Sequence, residues 1–172
     1  MPHHASEPIM QVGYVVDDLD EGIRQWLDQA GVGPWTVFRG VTLDGRYRDQ
    51  DTTVTMDVAM GYSGEVQIEL MHITSSTPSP YATGDGQPLV GPHHVAWITD
   101  DLDAAVESAR ERGLEVLFRA GNPSTEVAYV HAADRPGVIF EYIQGEGLRE
   151  MVAYGIEQAR SWDGSDPVRT FG

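Results

Sequence analysis

The sequence predicts an α+β protein built from two tandem βαβββ modules with an added C-terminal helix. Three observations lead there. Residues 11–20 read QVGYVVDDLD and residues 94–103 read HVAWITDDLD, so one strand-and-cap phrase occurs twice, 83 residues apart. VQIELMH at 66–72 has a counterpart in VIFEYIQ at 138–144, which aligns Glu69 with Glu141. The order of elements between these anchors is the same in both halves. Agreement of motif with element order is what marks an internal repeat.

Taken in order, residues 1–8 form a tail and residues 9–72 the first module. Residues 9–16 are mostly apolar, β-branched or aromatic, which predicts a buried strand. It ends at Asp17-Asp18, and Asp18 with Glu21 has capping-box spacing for a helix. Leu19, Ile23, Trp26 and Leu27 make one apolar face of that helix, and GVGP at 31–34 stops it. Strands follow at 35–41, 52–60 and 65–72, the last two separated by the turn GYSG. Residues 73–91, dense in Ser, Thr, Pro and Gly, read as a linker. In the second module, 92–145, a strand at 93–99 leads to a helix capped by Asp100 or Asp101 and ended by Gly113. Its buried stripe is Leu102, Val106 and Ala109. LEVLFRA, EVAYVHA and GVIFEYIQ supply three more strands. Beyond the repeat, residues 146–172 carry an amphipathic helix with a stripe at Leu148, Val152, Ile156 and Ala159, then a loose tail. That helix is expected to pack on the core or on a partner subunit rather than to close over a pocket.

Composition narrows the chemistry by exclusion. The 172 residues are enough to bury a core. There is no cysteine, hence no disulfide, thiolate metal site or thiol nucleophile. All 11 basic residues are arginines, so Schiff-base chemistry and a lysine-dependent phosphate loop are also excluded. A formal charge of −16 argues against nucleic-acid and anionic-membrane partners. The N-terminus lacks the apolar core of a signal peptide, and no apolar run approaches a membrane span, so a soluble cytoplasmic protein is expected.

Four polar residues stand out on these strands. Strand side chains alternate faces, so Gln11 shares a face with Gly13 and Val15, and His94 with Ala96 and Ile98. Glu141 lies between Ile139 and Ile143, and Glu69 between Gln67 and Met71. A lone carboxylate in such company is costly unless it is paired or metal-bound. Were a pseudo-twofold axis to relate the halves, Gln11 would pair with His94 and Glu69 with Glu141. Two carboxylates, an imidazole and an amide oxygen form a hard, oxygen-rich set suited to one divalent ion. Zinc, nickel, cobalt, manganese, iron or magnesium would fit, with positions left for water or substrate. Read singly, Gln11 is an edge-strand amide, His94 a satisfied core histidine, and the two glutamates strand-end carboxylates facing water.

With these residues in place, the chain resembles the vicinal oxygen chelate superfamily. That superfamily includes glyoxalase I, methylmalonyl-CoA epimerase, fosfomycin- and bleomycin-resistance proteins and extradiol dioxygenases. The likeness covers about 9–144. QVGYVVDDLDEGIRQW, GVGPW, QIELMH and HHVAWITDDLD are most similar to its glyoxalase-like and epimerase-like branch. The resemblance implies paired modules curling into an open, cup-shaped, barrel-like sheet around one metal. It implies metal ligands at Gln11, Glu69, His94 and Glu141, and a homodimer as a common assembly.

It further implies metal-assisted proton abstraction from a small oxygenated carbonyl substrate, a lyase or isomerase reaction with Glu141 and Glu69 as candidate bases. The alternative is a metal-free binding or sequestering protein of the same fold. A ring-cleaving dioxygenase fits less well, because Gln11 leaves one histidine where iron(II) needs two. His72, His93 and His131 are poor substitutes on strand parity or position, and His3 and His4 belong to the tail. The coenzyme A epimerases that the chain resembles carry a Glu-Gln-Gly turn before the third strand. Here that region reads YRDQDTTVTM, with Asp49, Gln50 and Asp51 but no Glu. Trp35 or Phe38, Met56 or Met60, and His131 at a pocket rim are the candidate substrate contacts. Trp35 and Phe38 face opposite ways on one strand, so only one can line a cup.

Overall fold

The computed structural model describes residues 7–135 and 137–171; His3 and His4 lie outside them. The first module is β1 (Gln11–Val15), α1 (Leu19–Gln25), β2 (Trp35–Tyr47), β3 (Gln50–Ser63) and β4 (Val66–Ile73). The second is β5 (Gly91–Ile98), α2 (Leu102–Glu111), β6 (Glu115–Gly121), β7 (Glu126–His131) and β8 (Ile139–Gln144). A helix α3 (Leu148–Arg160) and a short strand β9 (Val168–Phe171) follow. No helix among the described residues is long and apolar enough to cross a membrane.

The repeated DDLD phrases do the same work twice. Asp18 and Asp101, the second aspartate of each, have extended backbone and accept from the N–H three residues on, Glu21 and Ala104, each at 2.9 Å. Each side chain thereby satisfies one orphan donor of a first helical turn. Leu19 and Ile23 then pack α1 on the outer face of β1–β4, and Leu102 and Val106 pack α2 outside the second half.

Strand order within the modules is β1-β4-β3-β2 and β5-β8-β7-β6. β1 and β5 join the modules antiparallel. On the far side β2 pairs with β6, from Asp44↔Gly121 to Tyr47↔Phe118, which closes eight strands into a barrel-like ring. The close approach needs Gly45, because a Cβ there would strike the Arg119 carbonyl and Ala120.

That closure depends on a β2–β3 hairpin longer than the expected strands. β2 runs on to Tyr47, β3 starts at Gln50, and Arg48 turns between them with φ 56°. Of GYSG only Gly64 turns, since β3 continues to Ser63 and the turn falls at Gly64–Glu65. The loose tail is partly ordered: β9 adds a parallel strand beside Trp35–Phe38.

Candidate metal centre and cup

Two rows of side chains cross the sheet at the module junction. The register sets Glu69, Gly13, His94 and Ile139 side by side on β4, β1, β5 and β8. The neighbouring row is Gln67, Gln11, Ala96 and Glu141. Each large polar residue thus faces a small one across the β1–β5 seam, Gln11 opposite Ala96 and His94 opposite Gly13. The small residues let the flanking side chains converge. A Cβ at Gly13 would overlap the His94 ring.

The convergence is tight. His94 Nε2 lies 2.8 Å from Gln11 Oε1, 2.9 Å from Glu141 Oε2 and 3.4 Å from Glu69 Oε2. Glu69, His94 and Glu141 offer ligand atoms within 4.8 Å of one another. Gln11, His94 and Glu141 are buried, whereas the Glu69 side chain keeps 13% of its surface exposed.

Hydrogen bonds behind these groups fix which atoms point inward. Gln11 Nε2 donates to Gln67 Oε1 at 2.6 Å, and Gln67 Nε2 donates to Tyr62 Oη at 2.7 Å. The Gln11 amide oxygen is therefore turned to the centre. His93 Nε2 lies 2.8 Å from the Pro80 carbonyl, which only accepts, so that nitrogen carries a hydrogen. In neutral His93 the other nitrogen, Nδ1, is then an acceptor. It takes the hydrogen of His94 Nδ1 at 3.0 Å. A neutral His94 consequently presents its Nε2 lone pair to three oxygens that have no hydrogen to give it.

Four lone-pair atoms facing one another need a positive charge between them. A proton can supply it. Burial works against charging His94, but Glu141 and then Glu69 outweigh it and raise the imidazole to about 10. Burial, and then His94, lower His93 to about 4, so His93 stays neutral. Burial pushes the Glu141 carboxyl up while His94 opposes it. A divalent ion can also supply the charge. Adjacent ligands about 2.1 Å from an octahedral ion lie about 3 Å apart, close to the separations here. Glu141 Oε2 is buried and, when His94 is neutral, has no hydrogen-bond partner among the described residues, as a metal ligand would be. The residues fit the ion.

Beyond this cluster the barrel encloses a cavity of about 400 Å³. Of the expected contacts, Phe38 and Met56 line it, as do Glu69 and Glu141. Trp35 does not. It is fully buried on the outer side, its Nε1 donating to the Val32 carbonyl and its ring edge-on to Trp26 under α1. His131 ends β7, half-buried and off the cavity wall. Residues 49–51 are exposed at the hairpin tip, away from the cavity.

Three features escaped the sequence reading. The expected linker carries Tyr81, wholly buried, stacked on His93 with ring centroids 4.9 Å apart and its hydroxyl 2.7 Å from that of Tyr129. Strand alternation points His93 away from His94, but a bulge at this place in β5 brings the two rings together. The first turn of α3 walls the cup through Leu148, Met151 and Val152, so this helix does border the pocket.

Residues 10–129 match the model of the Glyoxalase/Bleomycin resistance protein/Dioxygenase superfamily. The chain belongs to that superfamily. Among solved structures, this superfamily member is similar to a hypothetical protein from Bacillus halodurans C-125, with 18% identity over 80% of this chain and 94% of that one, TM-score 0.55. It is similar to methylmalonyl-CoA epimerase from Mycobacterium tuberculosis, with 18% identity over 83% and 93% of the chains and TM-score 0.50. A Streptomyces coelicolor methylmalonyl-CoA epimerase variant in complex with 2-nitronate-propionyl-CoA is similar at 19% identity, 81% and 95% coverage and TM-score 0.51. At these identities the likeness is one of fold. A comparison with curated proteins gives no match.

Proposed function

We propose that the chain is a metal-dependent isomerase or lyase that moves a proton at the carbon beside a metal-bound carbonyl. The observation that carries this reading is the convergence of Gln11, Glu69, His94 and Glu141, whose facing oxygen and nitrogen atoms can all offer lone pairs to one ion. A divalent ion held by these four would draw electron density from a bound carbonyl and acidify the adjacent C–H. The superfamily's epimerase neighbours support proton transfer as the reaction type.

The two carboxylates enter from symmetry-related strands, one on each side of the module junction. Glu69 Oε2 stands farther from His94 than Glu141 Oε2 does and is the more open to the cavity. Glu69 is thus free to take a proton from substrate. Glu141, nearer to His94 and more buried, enters from the other side of the junction and would exchange the proton there on leaving the ion. Tyr81 and Tyr129 keep their hydroxyl protons, since burial lifts both well above the usual phenol range. Both line the cavity, and since one hydroxyl donates to the other, one proton of the pair is left for a substrate oxygen.

The test is solvent exchange. Metal-loaded protein is expected to wash deuterium from the α-carbon of an α-hydroxyketone into water, and protein stripped by chelator to do so far more slowly. Washout that is indifferent to the metal would sink the proposal. One observation favours the second reading, a metal-free binding protein: protonated His94 can itself neutralise the cluster. Tight ligand binding without metal and without washout would support it.

A further inference from the structure

All five methionines among the described residues, Met10, Met56, Met60, Met71 and Met151, line the cup. The chain has six in all, so the placement is not an average of the sequence. Four of them come from the first module and its approach to β1, and Met151 from α3. The opposite wall, from the second module, has no methionine and carries Ile98, Val127, Tyr129 and Ile143. The first wall therefore holds the adjustable chains, methionines set among Val41, Leu43 and Val58, because a thioether chain has several torsions free and a β-branched one has few.

The charges around the cavity are of one sign. Its acidic lining is Glu69 and Glu141 at depth, with Glu146 beside α3. None of the 11 arginines lines it among the described residues, and the chain has no lysine. Away from the metal centre, a phosphate or nucleotide inside would meet a carboxylate and no basic side chain on the cavity wall.

Resting on the proposed metal-bound carbonyl, we infer that the substrate is uncharged away from its chelating oxygens and carries an extended apolar body. That body lies between the methionine wall and α3, and coenzyme A or phosphate esters are poor occupants. The substrate enters oxygens first. Its tail displaces water from the apolar wall, and the methionines adjust to its shape.

Hydroxamates test this, because the chelating group stays constant while the tail changes. Acetohydroxamate and octanohydroxamate are titrated calorimetrically into zinc-loaded and chelator-stripped protein. The six added methylenes are worth about fourfold each when fully buried. Octanohydroxamate is therefore expected to bind at least a hundredfold more tightly, and to shift the methyl resonances of the five cup methionines. Met151→Glu, on a partly exposed turn of α3, is expected to erase at least tenfold of that advantage and to leave acetohydroxamate binding unchanged. Octanoyl-CoA is expected not to compete.

A chain-length ratio within about threefold, or competition by octanoyl-CoA at the same concentration, overturns the inference even when both hydroxamates bind the metal. Affinities that ignore zinc overturn the metal reading instead. The ratio measured on stripped protein then decides the inference alone.

Discussion

Glu141→Gln is expected to slow α-deuterium washout by about 10²- to 10⁴-fold at saturating metal, the range lost when a positioned acid–base group is removed. The substitution keeps shape and one oxygen facing His94 but removes the charge. Gln fills the same buried volume, so no cavity opens, but loss of the charge that supports protonated His94 is expected to lower the thermal midpoint of stripped protein. The change also has a signature without metal. In stripped wild-type protein the folded-state pKa of His94 is raised to about 10, with Glu141 the first of its supporting charges. A raised pKa contributes stability that is fully present below the unfolded value of about 6.5 and fades as pH climbs towards 10. Loss of Glu141 is expected to shrink that alkaline loss and bring the His94 titration down. Unchanged washout with metal bound would show that Glu141 does not handle the proton.

His93→Leu is expected to weaken metal binding by about 10- to 100-fold, the usual cost of removing the partner that orients a ligating imidazole. His93 touches no reacting atom. It accepts from His94 Nδ1 and is itself fixed by the Pro80 carbonyl, so its contribution is to hold the hydrogen off His94 Nε2. Leucine removes that acceptor, and His94 can then carry its hydrogen on the wrong nitrogen. His93→Asn sets an amide oxygen near the lost Nδ1 and is expected to recover most of the affinity. Chelator competition measures both. Equal affinities for wild type and His93→Leu would contradict the tautomer argument, and a lower thermal midpoint alone would mark His93 as merely structural.

The site was legible in the sequence to the extent that strand register is local. Gln11 and His94 open two copies of one phrase, and Glu69 and Glu141 share the fourth strand of each, so the repeat alone pairs them. The rest depends on contacts between distant segments. Tyr81 is surrounded by Ser, Pro, Thr and Gly, which signal a loop, and only the arrival of β5 and β7 beneath it makes it core. His93 follows strand parity until a bulge, which no residue pattern announces, turns it toward His94. Trp35 and Phe38 were separable by parity, but not which of them faces the cup. The answer lies just past α1, where Trp26 meets Trp35 from outside. A second irregularity in β2, between Phe38 and Val41, keeps Val41 and Leu43 on the cup side after Phe38. Apolar spacing likewise cannot tell a methionine that fills core from one that borders a cavity.

The central claim is that one divalent ion replaces one proton at the meeting of Gln11, Glu69, His94 and Glu141. Calorimetric titration of stripped protein with zinc, repeated in buffers of different ionisation enthalpy at pH 8, measures both quantities together. The account predicts one ion per chain and about one proton released per ion, with affinity rising about tenfold per pH unit below the His94 pKa. Saturable binding without proton release, or no saturable binding at all, would contradict it.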